Sequence, residues 1–189
     1  MRITVLWEDS RGVETKGFGP HVLLLACVAD RLGRERRDLE GLVKSVAKKG
    51  VGNVIKELQT NLAKLTKAGR VFAVIDRDKA REIWKPALLP ADCMSAIRMR
   101  IAKAVGSSEY ELVFLVQNME SLIDACDEGA RTKLQRYKPT PDQRDRILGR
   151  AAWEGSPAPR ASVLSACPSF KRLVDRVCAA LSPPPALTS

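Results

Sequence analysis

Asp76 and Asp78 stand one residue apart, directly after the apolar run VFAVI at 71–75. A second apolar run, ITVLW at 3–7, ends on Glu8 and Asp9. A third, ELVFLV at 111–116, ends on Gln117 and Asn118, with Glu120 and Asp124 close behind. Carboxylates crowded together repel one another unless a cation sits between them. A hard divalent ion such as Mg²⁺ takes oxygen ligands, a few from the protein and the rest from water or phosphate. One such ion, or a pair about 3.5–4 Å apart, activates water and neutralises charge on a scissile phosphate. A strand alternates its side chains, so Asp76 and Asp78 are expected to share one face while Arg77 points away. Arg77 or Lys79 is then available to clamp a phosphate. A second role stays open for the pair, that of capping a helix that follows. Glu120 would also complement a helix dipole from the first turn, and Asp124, four residues on, shares its face.

Such side chains need elements to hold them. Residues 3–7 read as a buried strand and 21–32 as a helix stopped by Gly33. A strand at 42–46 suits the spacing. Asn53 is placed to cap a helix running to Lys67, ended by Gly69. The run 71–75 is apolar on both faces, as a parallel strand covered on both sides would be. Helices follow at 93–105, 119–126 (capped by Asn118) and 169–181, with a strand at 111–116 between the first two. This alternation predicts an α/β fold with a mainly parallel sheet flanked by helices. Active sites in such sheets lie beyond the carboxyl ends of the strands, and three of the predicted strands end in acid or amide residues.

The sequence has 189 residues and a formal net charge of +10. That surplus favours polyanionic partners, nucleic acid first. The basic residues group in part: Arg31, Arg34, Arg36 and Arg37; Lys44, Lys48 and Lys49; Arg77, Lys79 and Arg81; Arg98, Arg100 and Lys103; and several from Arg131 to Arg150. Aromatics are only 5%, which argues against base stacking on an aromatic platform. Five widely spaced cysteines without a CxxC pattern read as free thiols in a reducing compartment. A lone histidine, His21, makes zinc an unsuitable metal. No apolar run approaches the roughly 20 residues of a membrane span, and residues 1–10 lack the marks of a signal peptide. The expected location is the cytoplasm.

A Glu just after the first strand, followed later by a buried strand running into Asp-x-Asp, resembles the Toprim fold of topoisomerases, bacterial primases and OLD-type nucleases. That resemblance implies divalent metal, Mg²⁺ or Mn²⁺, on Glu8, Asp76 and Asp78. The segment NMESLIDA at 118–125 resembles small stand-alone Toprim proteins that accompany ATPases in bacterial antiviral defence, and it adds Glu120 and Asp124. CPSFKRLVDRV at 167–177 is similar to the same group. The family's usual Glu-Gly is here Glu8-Asp9-Ser10-Arg11-Gly12, so the glycine that turns the chain is displaced and Asp9 becomes a further candidate ligand.

The implied activity is metal-dependent phosphodiester hydrolysis of DNA or RNA, with Arg77, Lys79, Arg81, Lys48 and Lys49 meeting the nucleic acid. Alternatives are a non-catalytic nucleic-acid-binding or adaptor subunit and, ranked lower, a phosphatase of the haloacid-dehalogenase type, which shares the Asp-x-Asp motif. The implied organisation is an α/β core over 1–127, a basic extension over 128–181 with a closing helix, and a frayed tail over 182–189. Neither GxxxxGK[ST] nor GxGxxG is present. In an ATPase-coupled system of the kind the resemblance implies, nucleotide sensing would lie on an ATPase partner; a homo-oligomer is the other assembly. The stretch 128–160 is expected to add little to the core and to be free for docking.

Overall fold

A computed structural model describes residues 2–8, 19–83, 93–115, 122, 125–126 and 140–182. Four strands form one sheet: β1 (Arg2–Trp7), β2 (Val43–Ala47), β3 (Gly69–Asp76) and β4 (Glu111–Leu115). All pairings are parallel and the order is β2-β1-β3-β4. Between β1 and β2 come α1 (Pro20–Leu32) and α2 (Arg36–Glu40). α3 (Val51–Ala68) links β2 to β3, and α4 (Arg77–Ile83) and α5 (Cys93–Val105) lie between β3 and β4. α6 (Pro141–Trp153), α7 (Ala158–Ala166) and α8 (Pro168–Leu181) close the chain. This is the expected α/β architecture, a parallel sheet with helices on both faces. No helix among the described residues is long and apolar enough to cross a membrane.

Strand alternation sorts the core into two layers. Ile3, Val5 and Trp7 of β1 and Phe72 and Val74 of β3 face α1, α6 and α8. Leu6, Val71, Ala73 and Ile75 face α3 and α5, meeting Val54, Leu58, Ile97 and Ile101. Both faces of β3 are covered, which is why its sequence is apolar without a break. Trp7 is a core residue whose Nε1 donates to Ser45 Oγ at 3.2 Å. His21 is buried in the first turn of α1. The four cysteines whose side chains are described, Cys27, Cys126, Cys167 and Cys178, are free thiols.

Gly33 ends α1 in the left-handed conformation, φ 60°. Gly69 joins α3 to β3 at φ 152°, where an added Cβ would stand 1.8 Å from the Arg2 carbonyl oxygen. Only glycine permits that approach of two backbones.

Several expectations are corrected. α3 starts at Val51, not after Asn53. Asn53 lies inside the helix and its Nδ2 donates back to the Lys49 carbonyl at 3.1 Å. α2, α6 and α7 were not anticipated, and Thr140 starts α6 with a full capping box to Gln143. Of the stretch 128–160, the described part, 140–160, does contribute to the core. Leu148, Ala151 and Ala152 of α6 are buried against α1. Arg160 is buried too, its guanidinium bonded to both Asp30 carboxylate oxygens (2.5 and 3.1 Å) and to the Ala151 and Glu154 carbonyls. Its own charge and prolines hid this role. Residues 183–189 lie outside the described residues.

Candidate active site at the carboxyl edge of the sheet

β1 leads to β2 on one side through α1, which covers one face. β3 leads to β4 on the other side through α4 and α5, which cover the opposite face. The strand order therefore reverses between β1 and β3. In open parallel sheets the crevice beyond the carboxyl ends at that point is where ligands bind.

Glu8 and Asp76 meet there. Trp7 pairs with Val74, so the residues after β1 and at the end of β3 share one edge. The Glu8 N–H donates to the Val74 carbonyl at 3.0 Å. The Glu8 side chain then turns to β3, where its Oε2 accepts the Asp76 backbone N–H at 2.9 Å. The ladder places the backbone and the carboxylate closes the next rung in place of a carbonyl. One N–H occupies only one of the roughly four acceptor sites of an ionised carboxylate, so this bond orients Glu8 without exhausting it. Asp76 is half-buried, the last residue of β3 and the one before α4. It thus also holds the position that a helix cap occupies.

The turn after β2 completes the edge. The Lys48 N–H donates to the Trp7 carbonyl at 2.8 Å and the Gly50 N–H to the Glu8 carbonyl at 2.7 Å. Lys49 between them is left-handed, φ 56°, a conformation that costs a non-glycine residue about 1–2 kcal/mol. α3 starts at this turn with no acidic residue in its first turn, so its N-terminal dipole favours an anion beside Glu8.

Asp78 does not continue the strand. β3 stops at Asp76, and Asp78 lies in the first turn of α4. The alternation expected to put Asp76 and Asp78 on one face of a strand therefore does not apply. The Asp78 carboxylate is exposed and stands 3.5 Å from Arg77 Nε. Lys79 and Arg81 are exposed on α4. Lys49 is exposed at the turn, while Lys48 pairs with Glu57 at 2.8 Å. Asp9, Glu120 and Asp124 lie outside the described residues. Among those described, no three His, Cys, Asp or Glu side chains gather in a group that could hold a metal ion.

The donor set still suits a hard cation in part. Glu8 and Asp76 offer oxygen ligands, and Mg²⁺ is commonly held by one or two carboxylates with water and substrate phosphate completing its octahedron. No family model matches the chain, and comparisons with curated proteins and with solved structures find no match.

Proposed function

We propose that the chain is a metal-dependent nuclease of the Toprim type. The observation that carries this reading is the meeting of Glu8 and Asp76 across the β1–β3 switch point. Glu8 and Asp76 would hold Mg²⁺ or Mn²⁺, with Asp78 at the rim. The ion supplies Lewis acidity and an activated water. The protein's own part is placement. The Asp76 N–H fixes the Glu8 carboxylate, the 48–50 turn fixes the Glu8 backbone, and Arg77, Lys79 and Arg81 set positive charge beside the edge for a phosphodiester. In this reading the chain acts with an ATPase subunit, as its resemblance to ATPase-associated Toprim proteins implies, and nucleotide sensing lies on that partner, since the sequence has neither GxxxxGK[ST] nor GxGxxG.

The test is cleavage of plasmid DNA and of RNA with Mg²⁺ or Mn²⁺, comparing wild type, Asp76→Ala and Glu8→Gln, with and without an added ATPase partner. We expect wild type to cut and both variants to lose at least about 100-fold, as loss of a charge-stabilising group does in other sites. Cleavage unchanged in Asp76→Ala would overturn the reading.

One observation favours a second reading, a non-catalytic nucleic-acid-binding subunit. The Asp78 carboxylate lies beside Arg77 on a helix, away from the strand position the motif implies. In that case binding persists and no metal restores cleavage.

A further inference from the structure

The outer side of β4 carries a separate concentration of positive charge. β4 ends the sheet order among the described strands. Between α5 and α8, which cover opposite faces, a groove of about 530 Å³ runs along it. Among the described residues its charged lining is Arg98 from α5, Arg172 and Arg176 from α8, and one carboxylate, Glu111. Arg176 Nη1 lies 2.5 Å from Glu111 Oε2, and among the described lining residues three guanidiniums face that one carboxylate.

Arg98 is built into the groove. Its Nη1 donates to the Leu112 carbonyl at 2.7 Å, and its guanidinium carbon sits 4.8 Å from the centre of the Phe114 ring. Burial, then the charges of Arg172 and Arg176, push this guanidinium below its ordinary value. Pro168 and Ser169 bring the start of α8 into the same groove, with no acidic residue in its first turn. Helix dipole and guanidiniums have the same sign, and an anion relieves both.

We propose that this groove binds the phosphodiester backbone of a nucleic acid, with Arg172 and Arg176 on phosphates and Arg98 as the fixed base of the site. Two features select this occupant. Arg98 occupies the outward carbonyl of Leu112, which blunts the edge against an added strand. The groove also follows an extended strand of five residues, about 17 Å long, along which a nucleic acid presents several charges at about 3.4 Å of axis each. The proposal takes only the identity of the polyanion from the function proposed above and requires no cleavage.

The test is fluorescence anisotropy with a labelled oligonucleotide, single-stranded and duplex, in EDTA across a salt series. Arg172→Ala/Arg176→Ala is compared with a charge-matched control, Arg34→Ala/Arg37→Ala, both checked by circular dichroism. The groove variant should bind on the order of tenfold more weakly, its salt slope reduced by about 1.4–1.8 for two lost phosphate contacts. The control should keep the wild-type slope. Equal losses in the two variants, or none, would overturn the groove, as would displacement of the oligonucleotide by sub-millimolar inorganic phosphate. Metal-dependent cleavage with no slope change rejects the groove and keeps the nuclease. Groove-dependent binding without cleavage does the reverse.

Discussion

At the scale of single residues, backbone contacts decide what each position tolerates. Gly69 illustrates this most sharply, since any side chain there would strike the Arg2 carbonyl at φ 152°. Gly69→Ala should cost roughly 2–4 kcal/mol, combining a strained backbone with a forced separation of β1 and β3. Urea unfolding measures it, and Gly52→Ala, whose Cβ meets nothing within 4 Å, is the control, expected to be neutral or stabilising by up to about 1 kcal/mol. Cys27 sets a pH limit. Burial, helped by nearby Asp30, pushes its thiol from 9.0 up to about 12. The unfolded chain ionises this group first, so its contribution to stability is complete below about pH 9 and is lost as pH rises towards 12. Over that window the loss reaches about 1.4 kcal/mol per pH unit. Burial moves Cys178 and Tyr110 in the same direction. Cys27→Ala should flatten the alkaline decline in a stability–pH profile, and an unchanged decline would refute the assignment.

Between elements, the decisive contact joins α1 to the α6–α7 corner. Arg160 gives its guanidinium to Asp30 and to two carbonyls while only 6% of its side chain is exposed. Removing one partner of such a pair strands the other charge. Asp30→Ala should therefore cost about 2–4 kcal/mol, below the usual buried-pair figure because Asp30 keeps partial contact with water. The double variant Asp30→Ala/Arg160→Met should recover part of that loss, since an apolar pair leaves no stranded charge. Paired denaturation curves give the coupling. By comparison, the Arg31–Asp175 and Lys171–Asp175 pairs are exposed and should each be worth well under about 1 kcal/mol.

For the whole molecule, the closing helices complete one side of the sheet. Phe170, Leu173, Val174 and Val177 of α8 are buried with α1 and the β1 face. A chain cut before residue 140 would expose that layer to water. We expect it to aggregate or to lose cooperative unfolding, seen by size-exclusion chromatography and thermal melts. A monomeric truncated chain with a sharp melt would show 1–139 to be self-sufficient. The same packing bears on partners. An ATPase subunit, if it docks, must use surface other than the buried faces of α6 and α7.

The amino-acid sequence alone determined the elements whose signals are local. The apolar runs of β1 and β3, the glycine stops after α1 and α3, and the helix at 93–105 follow from side-chain period and backbone freedom within a few residues. The parallel α/β class followed from their alternation, and the acid-ended strands marked the carboxyl edge as the place to look. The fold decided what depends on residues far apart in the chain. Whether β3 ended at Asp76 or ran through Asp78 turned on where α4 began to bury Ala80, and no spacing rule records that. That Glu8 would bond the Asp76 N–H required β1 to lie beside β3 rather than at the sheet's edge. The basic stretch before residue 160 looked solvated because charge was its visible feature, yet Arg160 is buried through Asp30, 130 positions away. The groove beside β4 likewise joins Arg98 to Arg172 and Arg176, groups that no local pattern connects and only the packing of α5 and α8 on opposite faces brings together.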